Sequence, residues 1–316
     1  MISKTPFFTI ITPTLNASGT LEETICSALG QGGESEHLIM DGGSADRTLE
    51  VARAFPHLTV HSARDKGLYD AMNRGAFFAR GEWLIFLQAD DWLPVGTLAS
   101  YREAIAKNPN TEIVTGSAEA VRQVGEDLWE TQWRRTGEEN KILTVENIAL
   151  GEPMLNARAI RKSLFRKVGP FDLSYSLASD RDFLLKLAKL QPPALAIEAP
   201  TYRYRWHEGS RTMNAGNALS RRLTDENLAI AKRHLAAGWE DSTARRSLKM
   251  WHQQESIRGA LCAIEALNPV AALQSAFRGT MVNPMWTLTF TNSFLRCFVG
   301  WIRRGFRTKS QMRNAD

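Results

Sequence analysis

The chain has 316 residues, 43% of them hydrophobic and 23% charged, which suits a soluble globular protein of one large or two modest domains. Its net charge of +5 is mild, and Cys26, Cys262 and Cys297 form no CxxC or Cys/His cluster. These features exclude a disulfide framework and a zinc site, point to a reducing cytoplasm, and give no reason to expect a nucleic-acid partner. No run reaches about 18 uninterrupted apolar residues and no secretory leader pattern opens the chain, so neither a spanning helix nor secretion is expected.

The first hundred residues alternate strand and helix patterns. A buried strand is predicted over 7–12, then a helix ending at Leu29, with Thr20 as N-cap and Glu23 at N3 forming a capping box. A short strand over 37–40 runs into Asp41-Gly42-Gly43-Ser44, a helix covers about 46–54, and a third strand covers 58–61. Residues 68–79 read as helix and 83–87 as the fourth strand. Repeated β-α-β with short loops implies a parallel sheet with right-handed crossovers.

A helix is expected from Pro94 to Lys107 and a strand over 111–116, and the alternation in 118–136, with Trp129 and Trp133, suits antiparallel strands. An irregular stretch runs to about 152, followed by a segment over 156–168 and a helix over about 180–190 that Gln191-Pro192-Pro193 ends. Closing strands are expected at 195–197 and 201–206, and helices take over from about 217. The expected organisation is an α/β domain over 1–215 and a helical region over 216–316.

Four polar clusters fall at strand-to-helix corners: Thr12-Pro13-Thr14-Leu15-Asn16, Asp41 to Asp46, Arg64-Asp65-Lys66-Gly67, and Asp90-Asp91. A parallel sheet brings such ends to one crevice, where ligands bind. Acids, hydroxyls and a cation gathered there suit a nucleotide, its phosphates and a hard divalent cation. No GxGxxG follows the first strand and no GxxxxGK[ST] occurs, which argues against a Rossmann dinucleotide site and a P-loop.

The order of these clusters resembles the family 2 glycosyltransferases of the GT-A fold. The matching residues are Thr9 to Asn16, Asp41 to Thr48, Asp65-Lys66-Gly67-Leu68-Tyr69-Asp70-Ala71-Met72-Asn73-Arg74-Gly75, and Ala79 to Trp83 leading into Asp90-Asp91. Phe165 to Asp172 and Ala178-Ser179-Asp180-Arg181-Asp182-Phe183 look like the acceptor side of such enzymes. The resemblance covers about 7–212. It implies a mostly parallel central sheet with flanking helices, here followed by a C-terminal helical extension.

The resemblance further implies an inverting, metal-dependent transfer from a nucleotide-sugar donor, with a UDP-sugar favoured, to a hydroxyl of a glycan or lipid-linked acceptor in bacterial surface-polysaccharide assembly. Pro13, Thr14 and Asn16 would line the nucleoside pocket, Asp41 would face the nucleobase, and Asp65 would sit beside the nucleotide. Asp91 would hold Mg²⁺ or Mn²⁺, and Asp90 would support it or the ribose. Asp180 would be the catalytic base, with its pKa lowered by the helix N-terminus. His207 and Arg211 would belong to a loop closing over the diphosphate. Asp182 reads as a structural acid paired with Lys186 at i+4. One departure is Ala63, where the family often carries Glu two positions before its Asp-x-Gly segment.

Residues 286–307 set Phe290, Phe294, Cys297, Phe298, Trp301 and Ile302 against Arg296, Arg303 and Arg307 on a helical wheel. That pattern suits either a helix lying on the inner leaflet of the plasma membrane or one docked on the protein. Competing readings are a GT-A-like scaffold that binds nucleotide or membrane without turnover, and a sugar-nucleotide nucleotidyltransferase. The second normally needs a Gly-rich phosphate loop, which Asn16 to Thr20 does not provide.

Overall fold

The computed structural model describes residues 5–32, 35–125, 128–141, 143–207 and 217–265, together with 274, 275 and 282. Two compact units emerge, one of residues 1–143 and 153–214 and the other of 144–152 and 215–316.

The first unit is built on an eight-stranded sheet. Its first half follows the sequence pattern: β1 (Phe8–Thr14), α1 (Leu21–Leu29), β2 (Ser35–Asp41), α2 (Thr48–Arg53), β3 (Thr59–Ser62), α3 (Leu68–Phe78) and β4 (Trp83–Phe86). These strands lie in the order β3-β2-β1-β4, all parallel. β1 and β4 are buried on both faces, as expected of central parallel strands. Phe8, Ile10, Trp83, Ile85 and Leu87 pack on one face with Leu98 and Tyr101, while Phe86 turns to Phe165 and Phe171 on the other. Where α3 crosses β1, Gly75 sits so close to the Ile11 side chain that a Cβ there would overlap it.

The second half adds α4 (Thr97–Lys107), β5 (Ile113–Gln123), β6 (Trp129–Arg135), α5 (Gly137–Lys141), α6 (Val145–Leu150), β7 (Arg158–Arg161), α7 (Lys162–Val168), α8 (Ser179–Leu190) and β8 (Ala194–Arg205). α6 belongs to the second unit. β7 is antiparallel to both β4 and β5, so it joins the parallel half to the rest. β5 pairs with β7 at 113–115, with β6 at 118–123, and with β8 at 113–121. Because β8 takes one edge throughout, β6 and β7 share the other edge in succession.

Three local expectations are corrected. Thr20 makes no capping bond; its hydroxyl donates instead to the Ala89 carbonyl, 2.8 Å away. The helix expected from Pro94 begins at Thr97, whose hydroxyl donates to the Pro94 carbonyl at 2.7 Å after Gly96 turns the chain at φ +82°. The two closing strands are one strand, β8, with its irregularity near Pro200.

The second unit adds α9 (Asn217–Ala236) and α10 (Ser242–Glu265). Glu255 on α10 is buried and accepts bonds from Asn227, Trp251 and Arg258. No helix among the described residues is long and apolar enough to cross a membrane. The amphipathic pattern over 286–307 lies outside the described residues.

Candidate active site

The loops leaving β1 and β2 are stitched together by side chains. Asn16 takes a left-handed conformation (φ +51°), which asparagine tolerates better than most residues. Its N–H donates to Ser44 Oγ and its Oδ1 accepts from the Ala45 N–H, both at 2.9 Å. Asp46 fastens the same junction, accepting from the backbone N–H groups of Ser18 (3.1 Å) and Thr48 (3.0 Å). Pro13 and Thr14 are buried at the end of β1, and the Thr14 carbonyl accepts from the Gly42 N–H at 2.9 Å.

Asp41 is fully buried beneath these loops. Its carboxylate accepts from the hydroxyls of Ser44 and Ser62 (2.6 Å) and from the N–H groups of Gly43 and Ser44, each 3.1 Å away. Burial pushes its pKa up, but these donors outweigh it and hold the carboxyl below its usual range. Asp65 comes up against the same corner: a Cβ on Gly42 would lie 2.7 Å from Asp65 Oδ2. Glycine there lets the carboxylate approach the backbone closely, and a larger residue would push the Asp65 side chain aside. Thr14, Asn16, Asp41 and Asp65 are thus gathered at the C-terminal ends of β1, β2 and β3.

The donors on Asp41 make it a stability element with a defined pH window. The stabilisation its ionised form supplies is present above its unfolded pKa of 3.8 and is lost as pH falls through its lower folded value. Asp41→Asn turns one acceptor into a donor facing other donors, so it should cost about 2 kcal/mol at neutral pH. It should also flatten the acid limb of stability, measured as urea midpoints between pH 7 and pH 2.

At the end of β4 the two adjacent acids part company. Asp91 is 3% exposed, and both of its oxygens are engaged: Oδ2 accepts from the Tyr202 hydroxyl at 2.7 Å and Oδ1 from the Arg205 N–H at 2.9 Å. Burial, and then the neighbouring Asp90 charge, hold its carboxyl well above the usual range. The Asp90 side chain is 39% exposed, and its Oδ2 lies 3.0 Å from His207 Nε2. The resemblance makes Asp91 the metal ligand; in the structure Asp91 turns inward onto β8 and Asp90 faces out with His207. Arg211 lies outside the described residues.

Asp180 stands in the first turn of α8 and is half-buried. Its Oδ1 accepts from the Arg181 N–H at 2.8 Å and lies 3.0 Å from the Tyr69 hydroxyl. Its pKa is raised, because burial outweighs the bonds from Tyr69 and Arg181. That corrects the expectation that the helix N-terminus lowers it. Asp182 is fully buried and pairs with Lys186 at 3.0 Å. Burial pushes the Tyr204 hydroxyl far up, and the Asp91 and Asp180 carboxylates push it further.

Sequence reasoning missed the residues that hold these acids. Besides donating to Asp91, the Tyr202 hydroxyl accepts from the Gln88 N–H and from Asn156, each at 3.1 Å. The Arg205 guanidinium donates to the Asp90 carbonyl (3.0 Å), pairs with Glu23, and lies over the rings of Trp92 (4.8 Å) and Trp129 (5.1 Å). The signal was present in the alternation of Tyr202-Arg203-Tyr204-Arg205. In β8 it sets the tyrosines together, ring centroids 4.6 Å apart, while both arginines approach Trp92.

The fold is that of the GT-A glycosyltransferases. S. aureus TarS 1–349, solved with UDP-GlcNAc, aligns with TM-score 0.56 and 16% identity over 85% of this chain and 90% of its own. The mannosyltransferase PcManGT of Pyrobaculum calidifontis, solved with GDP-Man and Mn²⁺, aligns with TM-score 0.56 and 19% identity, covering 93% of this chain and 86% of its own. The chain belongs to glycosyl transferase family 2, whose model matches residues 9–169. A PGL/p-HBAD biosynthesis glycosyltransferase of Mycobacterium tuberculosis is 35% identical over 188 residues, 57% of this chain and 69% of the relative. This protein is a glycosyltransferase.

Proposed function

We propose that the chain moves a sugar from a nucleoside-diphosphate donor, with a UDP-sugar favoured, to a hydroxyl of a glycan or lipid-linked acceptor, with inversion at the sugar. The observation that carries this reading is that the acids stand on separate elements, Asp180 at the head of α8 beside the Tyr69 hydroxyl and Asp90 after β4 beside His207. Burial makes Asp180 more basic, and the Asp91 and Asp180 carboxylates both raise the Tyr204 hydroxyl. An in-line displacement needs that division of labour, with a base for the acceptor on one side and charge control for the leaving diphosphate on the other.

In this reading Asp180 accepts the proton of the acceptor hydroxyl, and the stitched loops carrying Thr14, Asn16, Asp41 and Asp65 hold the nucleoside. Asp41, with its oxygens already engaged, shapes the nucleobase end of that pocket. Among the described residues no group of three or more His, Cys, Asp or Glu side chains is placed to hold a metal by itself. A single half-exposed carboxylate with an imidazole beside it fits a cation shared with substrate phosphates, as Mg²⁺ commonly is. Asp90 would hold it, next to His207, and Asp91 would anchor Asp90's backbone from below. A bound Mg²⁺ or Mn²⁺ supplies positive charge to the departing diphosphate. The proposed setting is bacterial surface-polysaccharide assembly at the inner face of the plasma membrane, to which the basic pattern of 286–307 would contribute.

A thermal-shift panel of UDP-glucose, UDP-GlcNAc and GDP-mannose, each with and without Mn²⁺, tests the donor class. A donor at ~100 times its Kd should stabilise the protein by roughly 2.7 kcal/mol, and Mn²⁺ should enlarge the shift. If no nucleotide sugar shifts the transition in either condition, the reading fails.

A further inference from the structure

The Tyr69 hydroxyl lies 3.0 Å from Asp180 Oδ1 and 3.1 Å from the Leu177 carbonyl oxygen. A phenol has one proton to donate, and an ionised Asp180 and a backbone carbonyl are both acceptors. That proton can be shared between the two or lean to either, and a charged acceptor draws it more strongly than a neutral one.

We propose that Tyr69 is a positioning residue for Asp180, its hydroxyl pointing to the carboxylate when Asp180 is ionised and turning to the Leu177 carbonyl when Asp180 carries a proton. The proposal rests on the reading of Asp180 as the base. No bond is made or broken at Tyr69. In the ionised state the phenol donates to Oδ1. In the neutral state the carboxylic O–H donates to the phenol oxygen, and the phenol hydrogen rotates about its C–O bond toward Leu177. Each state of Asp180 then has a partner on Tyr69.

The surroundings hold Tyr69 stiffly enough for this. Its ring is 6% exposed and lies 5.4 Å from that of Phe171. One helical turn further along α3, Asn73 grips the Phe171 backbone twice, donating to its carbonyl and accepting from its N–H, both at 2.9 Å. Tyr69 and Asn73 stand at i and i+4, so one face of α3 clamps the segment that leads into α8. The other titratable or charged groups acting on Asp180 are Arg181, its neighbour on α8, and Tyr204 on β8.

The test uses the full chain with carbon-13 in the aspartate carboxyl groups, titrated by NMR, with the Asp180 signal assigned by its loss in Asp180→Asn. Tyr69→Phe keeps the ring and removes a bond from both states, but the bond to the charged carboxylate is the stronger. The ionised form therefore loses more, and the Asp180 midpoint should rise by about one pH unit, a tenfold change in its ionisation constant. A ring-fluorinated tyrosine at position 69, a stronger donor of nearly the same shape, should lower the midpoint. It also decides the matter if Tyr69→Phe does not fold. Midpoints that stay put, or that move in the same direction in both variants, overturn the proposal. The titration needs no substrate, so it stands apart from the base assignment, which falls only if Asp180→Asn keeps turning over donor.

Discussion

Asp180→Asn is expected to lower transfer by about 10²- to 10⁴-fold, the usual contribution of a positioned general base, while leaving donor binding nearly unchanged. Asparagine has almost the same shape as aspartate, and its Oδ1 can still accept from the Arg181 N–H and the Tyr69 hydroxyl, which now hold the carboxylate. What it loses is the capacity to take a proton. The acids on the donor side lie on other elements, Asp41 at the end of β2 and Asp90 after β4, so the nucleotide should not register the change. Two measurements decide it: single-turnover transfer, and the thermal shift with the donor selected by the panel. Unchanged turnover removes Asp180 as base. Equal loss of turnover and donor shift makes it a structural acid of the pocket.

The second large effect separates two neighbouring acids. Asp90→Asn should weaken the Mn²⁺-dependent part of donor binding by more than about 100-fold, above what loss of a group merely supporting a ligand costs. Asp91→Asn should do much less. Its oxygens contact Tyr202 and the Arg205 backbone, and burial already favours the neutral acid that asparagine imitates. The carbonyl oxygen of the new amide can keep accepting from the Tyr202 hydroxyl, whose oxygen already serves Gln88 and Asn156. The amide nitrogen left facing the Arg205 N–H costs stability and not metal binding. Titration calorimetry with donor and Mn²⁺, on both variants in parallel, gives the answer. If Asp91→Asn abolishes the metal response and Asp90→Asn keeps it, Asp91 is the ligand and must leave β8 when donor binds.

The parallel half of the sheet was legible because its strands are short apolar runs closed by polar corners, and each such corner appears at the expected strand end. Local signals failed where a distant partner competed. Thr20 carries a capping-box pattern, yet its hydroxyl goes to Ala89, 69 residues away. Pro94 looks like a helix start, yet its carbonyl is taken by Thr97 and the helix waits for the next turn. β7 spans only four residues, too few for periodicity to reveal, and its antiparallel pairing is a tertiary fact.

At the site, residue types were legible and their environments were not. Asp90 and Asp91 are equivalent in the sequence; which one turns inward depends on Tyr202 and Arg205, more than 110 residues downstream. The sign of the Asp180 shift was misjudged for a related reason. The helix N-terminus is visible in the sequence, but the burial that outweighs it comes from packing.

β8 follows every other strand of the sheet in the chain, and it carries the two groups that secure Asp91. A ribosome therefore delivers β1 to β4, with both acids already in the chain, long before it delivers their anchor. Until residues 202–205 dock, Asp91 has neither of those partners to satisfy its carboxylate. Contacts of such long sequence separation carry a high loop-closure cost and form slowly. Synthesis thus supplies the Asp41 corner early and the anchor of the acid pair late, so a chain cut short before β8 would carry β1 to β4 and their loops with Asp91 unanchored.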